Sequence, residues 1–339
     1  MKILHIANFG FNKQGAHFYC TDRKISAGLI ENGHFVYDFS FRDMSRMGTV
    51  FKTKKLGANW ANKEILKIVD NLEPDLVLIG HSDLLRIDTL NAIRLQYPQI
   101  KMAFWFVDWL CEEHKAKFVQ SMAKIVDAVF CTTGGTLLKQ FKYSNNRIAY
   151  IPNMVFSAVE SLKQFELQEH AYNLIFCGTV YKDPEREYFL TFLKEHLDTK
   201  LNCFGAFNQP ALYGKNYLNL LGNARCGLNL SRRNNIDLYS SDRVAQLAGN
   251  GLLTFTPKIP GFQKLYTEHE LVYFDDVSDL VEKYKYYEVH VEEAEQLAKK
   301  GWEKTHQSFN AKRITQFMLE VTFDRPLSEA YEWSHEVYV

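Results

Sequence analysis

Short runs of apolar residues alternate with longer amphipathic stretches along most of the chain. The first run, Lys2–Phe9, is typical of a strand that is buried on both faces, and it ends at Gly10. A stretch with Ile25 and Leu29 on one face then predicts a helix, and Phe35–Phe41 predicts a second strand. A strand, a helix and a strand in this order predict a right-handed crossover within a parallel sheet.

The same pattern begins again in the second half of the chain. Asn173–Gly178 predicts a buried strand, which a helix over Glu185–Leu197 and a strand over Leu201–Phe204 follow. Residues 156–172, between the two series, are polar and have no strong period. They predict an interdomain linker.

The sequence therefore predicts an α/β protein with two Rossmann-like domains that face each other across a cleft. The first domain covers residues 1–155 and the second covers residues 173–305. Residues 306–339 add an amphipathic helix and a tail, which we expect to pack back on the first domain.

Length and composition agree with this organisation. The chain has 339 residues, which is long for one compact core, and its 46% hydrophobic and 24% charged residues predict a folded protein. The formal net charge is zero, which argues against a globally basic surface for nucleic acid. The six cysteines are isolated and predict reduced core thiols rather than disulfides or a zinc site.

The start of the chain has none of the features of a secretory signal. Met1–Ile3 runs directly into the first strand, without the basic and apolar regions of a secretory signal. No apolar run reaches the roughly 18 residues of a transmembrane helix. Residues 42–60 are polar and basic and predict a long loop, which is either functional or a solvated surface segment.

Residues 231–262 are the strongest candidate for a ligand site. Tyr239–Asp242 supply hydroxyl and carboxylate groups that predict a helix N-cap, and Gly249–Gly251 predicts the end of that helix. A helix start surrounded by arginines suits a phosphate or diphosphate, and the alternative is an ordinary capped helix. The arginines are Arg232, Arg233 and Arg243.

Three predicted strands of the first half end in polar residues. The carboxyl ends of parallel strands lie on the ligand side of an open sheet, so these residues are expected on one rim. For each residue alone, a capping or packing role is the alternative. The residues are His81, Asp108, Thr132 and Thr133.

Several short motifs follow one another in the second half. They are RIAYIPNMV (Arg147–Val155), NLIFCG (Asn173–Gly178), SSDRVAQLAGNGLLTF (Ser240–Phe255), the glycine-bearing loop Pro257–Leu265, and Gly301–Phe309 with Arg313. In this order they resemble the hinge strand, donor-domain strand, donor helix, diphosphate loop and closing helix of GT-B glycosyltransferases. The resemblance is to the glycosyltransferase family 4 and CgeB-like group. The first half resembles that group in layout, with Gly15 in its first glycine loop.

The resemblance implies sugar transfer from a nucleotide-sugar donor to a hydroxyl group of a glycan or glycolipid, in surface polysaccharide or lipopolysaccharide synthesis. The donor would be a co-substrate, so no further cofactor is expected. No metal ion is expected either, because no Asp-x-Asp pair stands at a strand end. The protein would be cytoplasmic, and its contact with the inner face of the cell membrane would be peripheral, through the basic residues 42–55.

The resemblance also implies roles for residues. Arg243 or Arg232 would stabilise the leaving phosphate, with Lys182 next. If the reaction inverts configuration, Asp108 or else His81 would deprotonate the acceptor, and if it retains configuration Asp108 would orient the acceptor. The donor-binding candidates are Gly178, Lys182, Arg232, Ser241, Asp242, Arg243, Gln246 and Gly261, and the acceptor-side loop contains Gly15 and His17.

Two positions depart from the pattern of that group. Gln246 stands where its members carry a glutamate for the donor ribose or sugar, and Thr179 stands where they carry an arginine. A non-catalytic GT-B-like protein that binds a sugar or nucleotide, or takes part in assembly, is therefore the second hypothesis. A different two-domain phosphate enzyme, such as a sugar epimerase, is the third. The sequence leaves the stereochemistry and the oligomeric state open.

Overall fold

The chain folds into two compact units. The computed structural model describes residues 1–339. Unit 1 contains Met1–Pro152 and Ala311–Val339, and unit 2 contains Asn153–Asn310. Each unit is built around a sheet of its own.

The strands and helices alternate along most of the chain. The strands are β1 (Lys2–Ala7), β2 (Phe35–Ser40), β3 (Leu76–Ile79), β4 (Lys101–Phe106), β5 (Ala128–Cys131), β6 (Arg147–Tyr150), β7 (Tyr172–Cys177), β8 (Leu201–Phe204), β9 (Ala224–Leu228), β10 (Leu253–Pro257), β11 (Val272–Phe274) and β12 (Val337–Tyr338). The helices are α1 (Thr21–Glu31), α2 (Phe41–Met47), α3 (Lys54–Leu72), α4 (Ile87–Gln96), α5 (Glu113–Ala123), α6 (Gly135–Lys139), α7 (Pro184–Leu197), α8 (Lys215–Leu221), α9 (Arg243–Gly249), α10 (Val277–Val289), α11 (Val291–Ser308) and α12 (Ala311–Thr322).

The sheet of unit 1 has seven strands in the order β12-β6-β5-β4-β3-β1-β2. Strands β1 to β6 pair in parallel, and β12 pairs with β6 in antiparallel orientation. Every residue of β3 and β5 is buried. Strands covered on both faces need apolar residues at successive positions, which is why they appear as continuous apolar runs in the sequence.

A chain of hydrogen bonds runs from the core of unit 1 toward its surface. Trp105 Nε1 donates to His5 Nε2 at 3.1 Å, and His5 Nδ1 bonds Ser26 Oγ at 2.8 Å. Ser26 Oγ donates in turn to Asp38 at 2.6 Å. Because burial lowers the pKa of His5 to about 3, the ring is neutral at pH 7 and both of its nitrogens are satisfied.

The sheet of unit 2 has five parallel strands in the order β11-β10-β9-β7-β8. Its core joins residues of the strands to those of the helices α7, α10 and α11. The largest buried side chains of this core include Phe176, Phe255 and Phe274. The predicted fold class, two α/β domains with parallel sheets, is confirmed.

The prediction of a long loop over residues 42–60 is wrong, because most of this segment belongs to α2 and α3. The two helices approach closely at Gly57. A Cβ atom there would lie 1.6 Å from the Ser45 carbonyl oxygen, so only glycine fits. The buried residues in this part of α3 are small: Gly57, Ala58 and Ala61. They do not form the periodic pattern of large apolar residues from which a helix is predicted.

Residues 156–172, predicted as a linker, lie within unit 2. They include a 3-10 turn at Gln164–Glu166 and lead directly into β7. The Gln164 N–H donates to the Asn250 carbonyl at 3.2 Å, and the Leu162 N–H donates to Asn250 Oδ1 at 3.3 Å. The segment is therefore packed on the end of α9, and the change of unit occurs after Pro152.

The C-terminal segment belongs to unit 1 from Ala311 onward. Helix α12 packs on α1, where Asn32 Nδ2 donates to the Lys312 carbonyl at 2.8 Å. Arg313 pairs with Glu329 and Glu332, each at 2.7 Å, and β12 then completes the sheet beside β6. The last residues are a docked tail.

The six cysteines are free thiols, and Cys131, Cys203 and Cys226 are buried. Burial raises the pKa of Cys203 and of Cys226 to about 12, so both thiols are protonated at pH 7. No helix combines the length and the apolar character that crossing a membrane requires.

Candidate functional site

The sheet of unit 2 has a crevice at its carboxyl edge, between β7 and β9. The chain passes from β7 to β8 on one side and then returns to form β9 on the other side. Open α/β sheets bind their ligands outside the carboxyl ends of the strands at such a switch point. The segments that follow β7 and β9 contain most of the predicted donor-binding residues.

Arg243, the first residue of α9, joins the two strand ends. Its Nε donates to the carbonyl of Cys177, the last residue of β7, at 2.7 Å. Its Nη1 donates to the Leu230 carbonyl beyond β9 at 3.3 Å and to Ser241 Oγ at 2.9 Å. Nη2 forms no hydrogen bond, so one donor group of the guanidinium is available to a ligand.

Gly178 lies directly against this guanidinium. A Cβ atom at Gly178 would lie 3.0 Å from Arg243 Nη2 and 2.8 Å from the Phe176 ring. The missing side chain therefore leaves space for Nη2 at the end of β7. The structure thus brings together two of the predicted donor-side residues, Gly178 and Arg243.

Arg186, which is not among the predicted site residues, lies at the same strand end. It is buried in the first turn of α7, and its Nη1 donates to the Thr179 carbonyl at 2.9 Å. The Cζ atoms of Arg186 and Arg243 lie 5.9 and 5.1 Å from the centre of the Phe176 ring. The sequence offered one signal for a role of Arg186, its position shortly after the strand β7. The position at which the resembled group carries an arginine is occupied by Thr179 in this chain.

The charges at this strand end are unbalanced. Burial, together with the positive charges of Arg243 and Arg232, lowers the pKa of Arg186 to about 10, while Asp183 opposes the shift. The side chain of Arg232 forms neither a hydrogen bond nor an ion pair. Three guanidinium groups near one strand end favour an anionic ligand, and phosphate oxygens match their geometry.

Lys182 and Asp183 occupy the loop between β7 and α7. Lys182 has a left-handed backbone, with φ +56°, and its Nζ lies 5.3 Å from the Tyr181 ring centre. It is exposed and forms no ion pair, so its proposed contact with a phosphate stays a prediction. Asp183 caps α7 by accepting the Arg186 N–H at 3.4 Å.

The loop before α9 is fixed by side-chain hydrogen bonds. The buried amide of Asn229 donates to Ser240 Oγ at 2.9 Å and accepts from Ser241 Oγ at 3.3 Å. Ser231 Oγ accepts the Ser241 N–H at 2.9 Å. Asn229 is a polar residue inside an otherwise apolar run, and this was the sequence signal that could have identified it.

A second loop, at Gly261, packs against the first. Leu238 has φ +57°, an unusual backbone for a branched side chain, and its N–H donates to the Pro260 carbonyl at 2.9 Å. Gly261 has φ +74°, and a Cβ atom there would lie 3.3 Å from Leu238. Backbone strain of this kind is concentrated at functional sites, where the surrounding structure enforces it.

The N-cap of α9 lies within Tyr239–Asp242 as predicted, but the predicted side-chain cap is absent. Asp242 is the N-cap residue of α9, but its side chain accepts no N–H of the first turn. Its backbone is already helical, with φ −58° and ψ −13°, whereas a capping side chain needs an extended backbone. The carboxylate accepts instead from Gln246 Nε2 at 2.8 Å.

Gln246 is buried, and both ends of its amide are bonded. Oε1 accepts from the Tyr217 hydroxyl at 2.6 Å, and Nε2 donates to Asp242. An ionised glutamate at this position would place a second negative charge beside Asp242, so the amide fits its surroundings better. Its predicted contact with a ribose stays a prediction.

In unit 1 the switch point lies between β1 and β3, and His81 follows β3 there. Its ring stacks on Phe106, with centroids 4.8 Å apart and planes 6° apart. His81 Nε2 is buried and has no hydrogen-bond partner. Burial lowers the pKa of His81 while Asp108 and Asp22 oppose the shift, so the ring is neutral at pH 7.

Asp108 follows β4, the neighbour of β3. Its carboxylate is 45% exposed and lies 3.4 Å from Lys115 Nζ. Thr132 and Thr133 follow β5, and both hydroxyl groups are buried without a partner. Because β3, β4 and β5 are parallel neighbours, the residues after them share one edge of the sheet.

Gly15 and His17 lie in the loop after β1, on the same edge of the sheet. Gly15 has φ +87°, and a Cβ atom there would meet nothing within 4 Å. A Cβ atom at Gly10 would lie 3.4 Å from His17 Nδ1, so the loop folds back on its own start. The predicted role of this loop toward the acceptor stays a prediction.

The structure contains no group of three or more His, Cys, Asp or Glu side chains that is placed to hold a metal ion. The expectation of transfer without a metal ion stays a prediction.

Part of the chain matches a protein-family model. Residues 186–320 match the model of a family described as "Glycosyl transferase-like". The matched segment contains Arg186, Arg232 and Arg243. A search of the curated proteins gives no match. Membership of the CgeB-like group stays a prediction.

Solved structures show which fold the chain shares. Sucrose-phosphate synthase from Thermosynechococcus elongatus has a TM-score of 0.65 and 12% identity, over 96% of this chain and 98% of its own. Anabaena HepE in complex with UDP has a TM-score of 0.57 and 12% identity, over 96% and 100%. A UDP-N-acetylglucosamine 2-epimerase has a TM-score of 0.52 and 11% identity, over 97% and 99%. These likenesses show the fold, and the predicted GT-B fold is confirmed.

Proposed function

Because residues 186–320 are glycosyltransferase-like and the chain has the GT-B fold, we propose that this protein is a glycosyltransferase. It transfers a sugar from a nucleotide-sugar donor to a hydroxyl group of a glycan or glycolipid. The pathway is the synthesis of a surface polysaccharide or lipopolysaccharide. The observation that carries the proposal is the convergence of Arg186, Arg232 and Arg243 at the crevice of unit 2.

The arginines of unit 2 bind the phosphates of the donor. Arg243 is held by two backbone carbonyls, and its Nη2 is available, as is the side chain of Arg232. Negative charge develops on the leaving phosphate as the bond to the sugar breaks. Cations that are already in place stabilise this charge without reorganisation. The complex of Anabaena HepE with UDP supports a nucleoside diphosphate as the group that is held.

Unit 1 binds the acceptor at the carboxyl edge of its sheet. In an inverting reaction the acceptor hydroxyl loses its proton as the new bond forms, and the neutral ring of His81 can accept that proton at Nδ1, because Nε2 is buried. Asp108 is ion-paired with Lys115, and its charge stabilises the protonated ring. His81 is therefore better supported as the base than Asp108. In a retaining reaction no base is required, and Asp108 orients the acceptor.

The protein contacts the inner face of the cell membrane through residues 47–56. Val50 and Phe51 are 94% and 78% exposed, and Met47 and Leu56 are exposed beside them. Lys52 and Lys55 form no ion pairs. Apolar side chains that enter the lipid and lysines that meet anionic headgroups together favour a membrane surface. A glycolipid acceptor would be supplied from this surface.

Two other functions are distinguished by one experiment. The bonded amide of Gln246 favours a non-catalytic binding protein, and the epimerase of the same fold favours isomerisation of the donor. Purified protein is incubated with UDP-, GDP-, CMP- and ADP-sugars, with and without glycan or glycolipid acceptors. A transferase releases nucleotide faster when acceptor is present. Binding without turnover supports the binding protein, and a converted sugar nucleotide without acceptor supports the epimerase.

A further inference from the structure

Unit 2 has a cavity at the amino edge of its sheet, opposite the carboxyl edge where the candidate donor site lies. The cavity has a volume of about 130 Å³ and lies where β9 and β10 begin. Arg225 is the second residue of β9 and Leu253 is the first residue of β10, and both line it. Arg243, in contrast, lies at the carboxyl ends of the strands. The cavity is therefore separate from the candidate donor site.

Two opposite charges line this cavity without pairing. Arg225 Nη2 donates to the Tyr287 carbonyl at 2.8 Å, and the rest of the guanidinium has no partner. The Glu295 carboxylate forms no hydrogen bond and no ion pair. Both groups act on His170, since Arg225 lowers its pKa and Glu295 raises it. A positive and a negative group thus face the same small space with unused bonding capacity.

The remaining wall is polar on one side and apolar on the other. His170 Nε2 donates to the Gln164 carbonyl at 3.2 Å, and burial lowers the pKa of His170, so the ring is neutral at pH 7. The Gln164 side chain is buried, and its Oε1 has no hydrogen-bond partner. Phe165, Val291 and Ala294 supply apolar surface.

We propose that this cavity binds a small zwitterion, a free amino acid with an aliphatic side chain. Its carboxylate pairs with Arg225, its ammonium group pairs with Glu295, and its side chain packs on Phe165 and Val291. An apolar cavity of about 150 Å³ holds benzene. A volume of about 130 Å³ therefore limits the ligand to a small molecule, such as a smaller aliphatic amino acid. A nucleotide sugar is too large for it. The inference goes beyond the proposed glycosyltransferase activity and does not depend on it.

The charge requirement is tested by titration calorimetry on the full chain. The probes are L-valine, L-leucine and L-isoleucine. Two analogues of leucine carry one charge each: 3-methylbutylamine lacks the carboxylate, and 4-methylpentanoic acid lacks the ammonium group. At least one amino acid is expected to bind, and each analogue about tenfold or more weakly, because each loses one charge-assisted contact. The inference is overturned if no amino acid binds, or if an analogue binds as tightly as its parent.

Two variants assign the contacts. Arg225→Gln and Glu295→Gln are each expected to weaken binding about tenfold or more, whereas Glu292→Gln, on the exposed face of α11, leaves it unchanged. Arg225→Gln also removes the bond to Tyr287, so Glu295→Gln decides the question if the first variant does not fold. Unchanged affinity in Glu295→Gln overturns the assignment. Nucleotide-sugar turnover is measured on the same samples, so that failure of either claim is seen separately.

Discussion

Arg243 Nε donates a hydrogen bond to the carbonyl oxygen of Cys177 at 2.7 Å, which fastens the first residue of α9 to the last residue of β7. The same guanidinium reaches Leu230 beyond β9. A cation is thereby fixed over the switch point of the sheet, with Nη2 still available. Charges that are fixed before the ligand arrives are the kind that stabilise a leaving phosphate most effectively.

Gly178 provides the space for this cation, and Gly178→Ala tests it. The added methyl group would displace the Phe176 ring and Arg243 Nη2. We expect about tenfold weaker binding of a nucleoside diphosphate and a loss of about 1 kcal/mol in the free energy of unfolding. Calorimetry and urea denaturation measure the two effects. Gly222→Ala, at the end of α8, is the control and should leave the affinity unchanged. Unchanged affinity in Gly178→Ala would show that Nη2 does not contact the phosphates.

Much of the fold could be predicted from the sequence, because strands buried on both faces leave continuous apolar runs. The runs at Lys2–Ala7 and Leu76–Ile79 are of this kind. The start of α3 could not be predicted in the same way. Its contact with α2 depends on Gly57, and a glycine in a basic segment predicts a loop.

The candidate site was predictable in position but not in detail. The switch point and Arg243 follow from the order of strands and motifs. The bonding of Gln246 to Tyr217 and the burial of Arg186 depend on residues far apart in sequence, and no local pattern reports them. Asp242 makes no N-cap hydrogen bond because its backbone is helical, and the residue type alone does not determine the backbone angles.

The proposed role of His81 as the base predicts how the reaction rate depends on pH. Burial lowers the pKa of His81 below 6.5, so the ring is unprotonated at pH 7 and able to accept a proton. The kcat/KM of an inverting reaction should therefore fall only at more acidic pH, where the ring becomes protonated. His81→Gln should lower kcat about 100-fold or more and remove this acid limb. Asp108→Asn should move the limb to lower pH, because the negative charge of Asp108 raises the pKa of His81. The pH profiles of the three proteins provide the measurement. A His81→Gln variant with the wild-type profile would exclude His81 as the base.

His5 should make unit 1 sensitive to acid. Its pKa is about 3 in the folded protein and about 6.5 in the unfolded chain, so the unfolded chain binds more protons between these values. Stability is therefore fully present above pH 6.5 and is lost as the pH falls toward 3. At about pH 4.5 the loss due to His5 is on the order of 3 kcal/mol.

The test is to compare urea unfolding of the wild type and of His5→Gln between pH 7 and pH 4.5. The glutamine can still accept a bond from Trp105 but does not titrate. The difference between the two free energies of unfolding should shift in favour of the variant as the pH falls. Parallel curves would show that His5 does not govern the acid sensitivity.

The exposed residues 47–56 should bind anionic membranes. Vesicles of phosphatidylcholine and phosphatidylglycerol are expected to sediment the protein, and vesicles of phosphatidylcholine alone much less. The double change Val50→Ser and Phe51→Ser should weaken binding about tenfold or more, since each apolar side chain contributes about 1.5–3 kcal/mol when it leaves water. Leu95→Ser is the matched control, because Leu95 is equally exposed but lies on α4. Equal binding of all variants would place the membrane contact elsewhere.

The most direct test of the donor site is the thermal stability of the wild type and of Arg243→Ala with UDP-, GDP-, CMP- and ADP-sugars. A ligand of the folded state raises its melting temperature by mass action. We predict that one nucleotide class stabilises the wild type and that Arg243→Ala loses this effect and about 100-fold in kcat, while Arg243→Lys retains part of both. Arg243→Ala also leaves the Cys177 carbonyl without its partner, so each shift is referred to the same variant without ligand. Undiminished stabilisation and turnover in both Arg243→Ala and Arg232→Ala would contradict the account and place the donor site elsewhere.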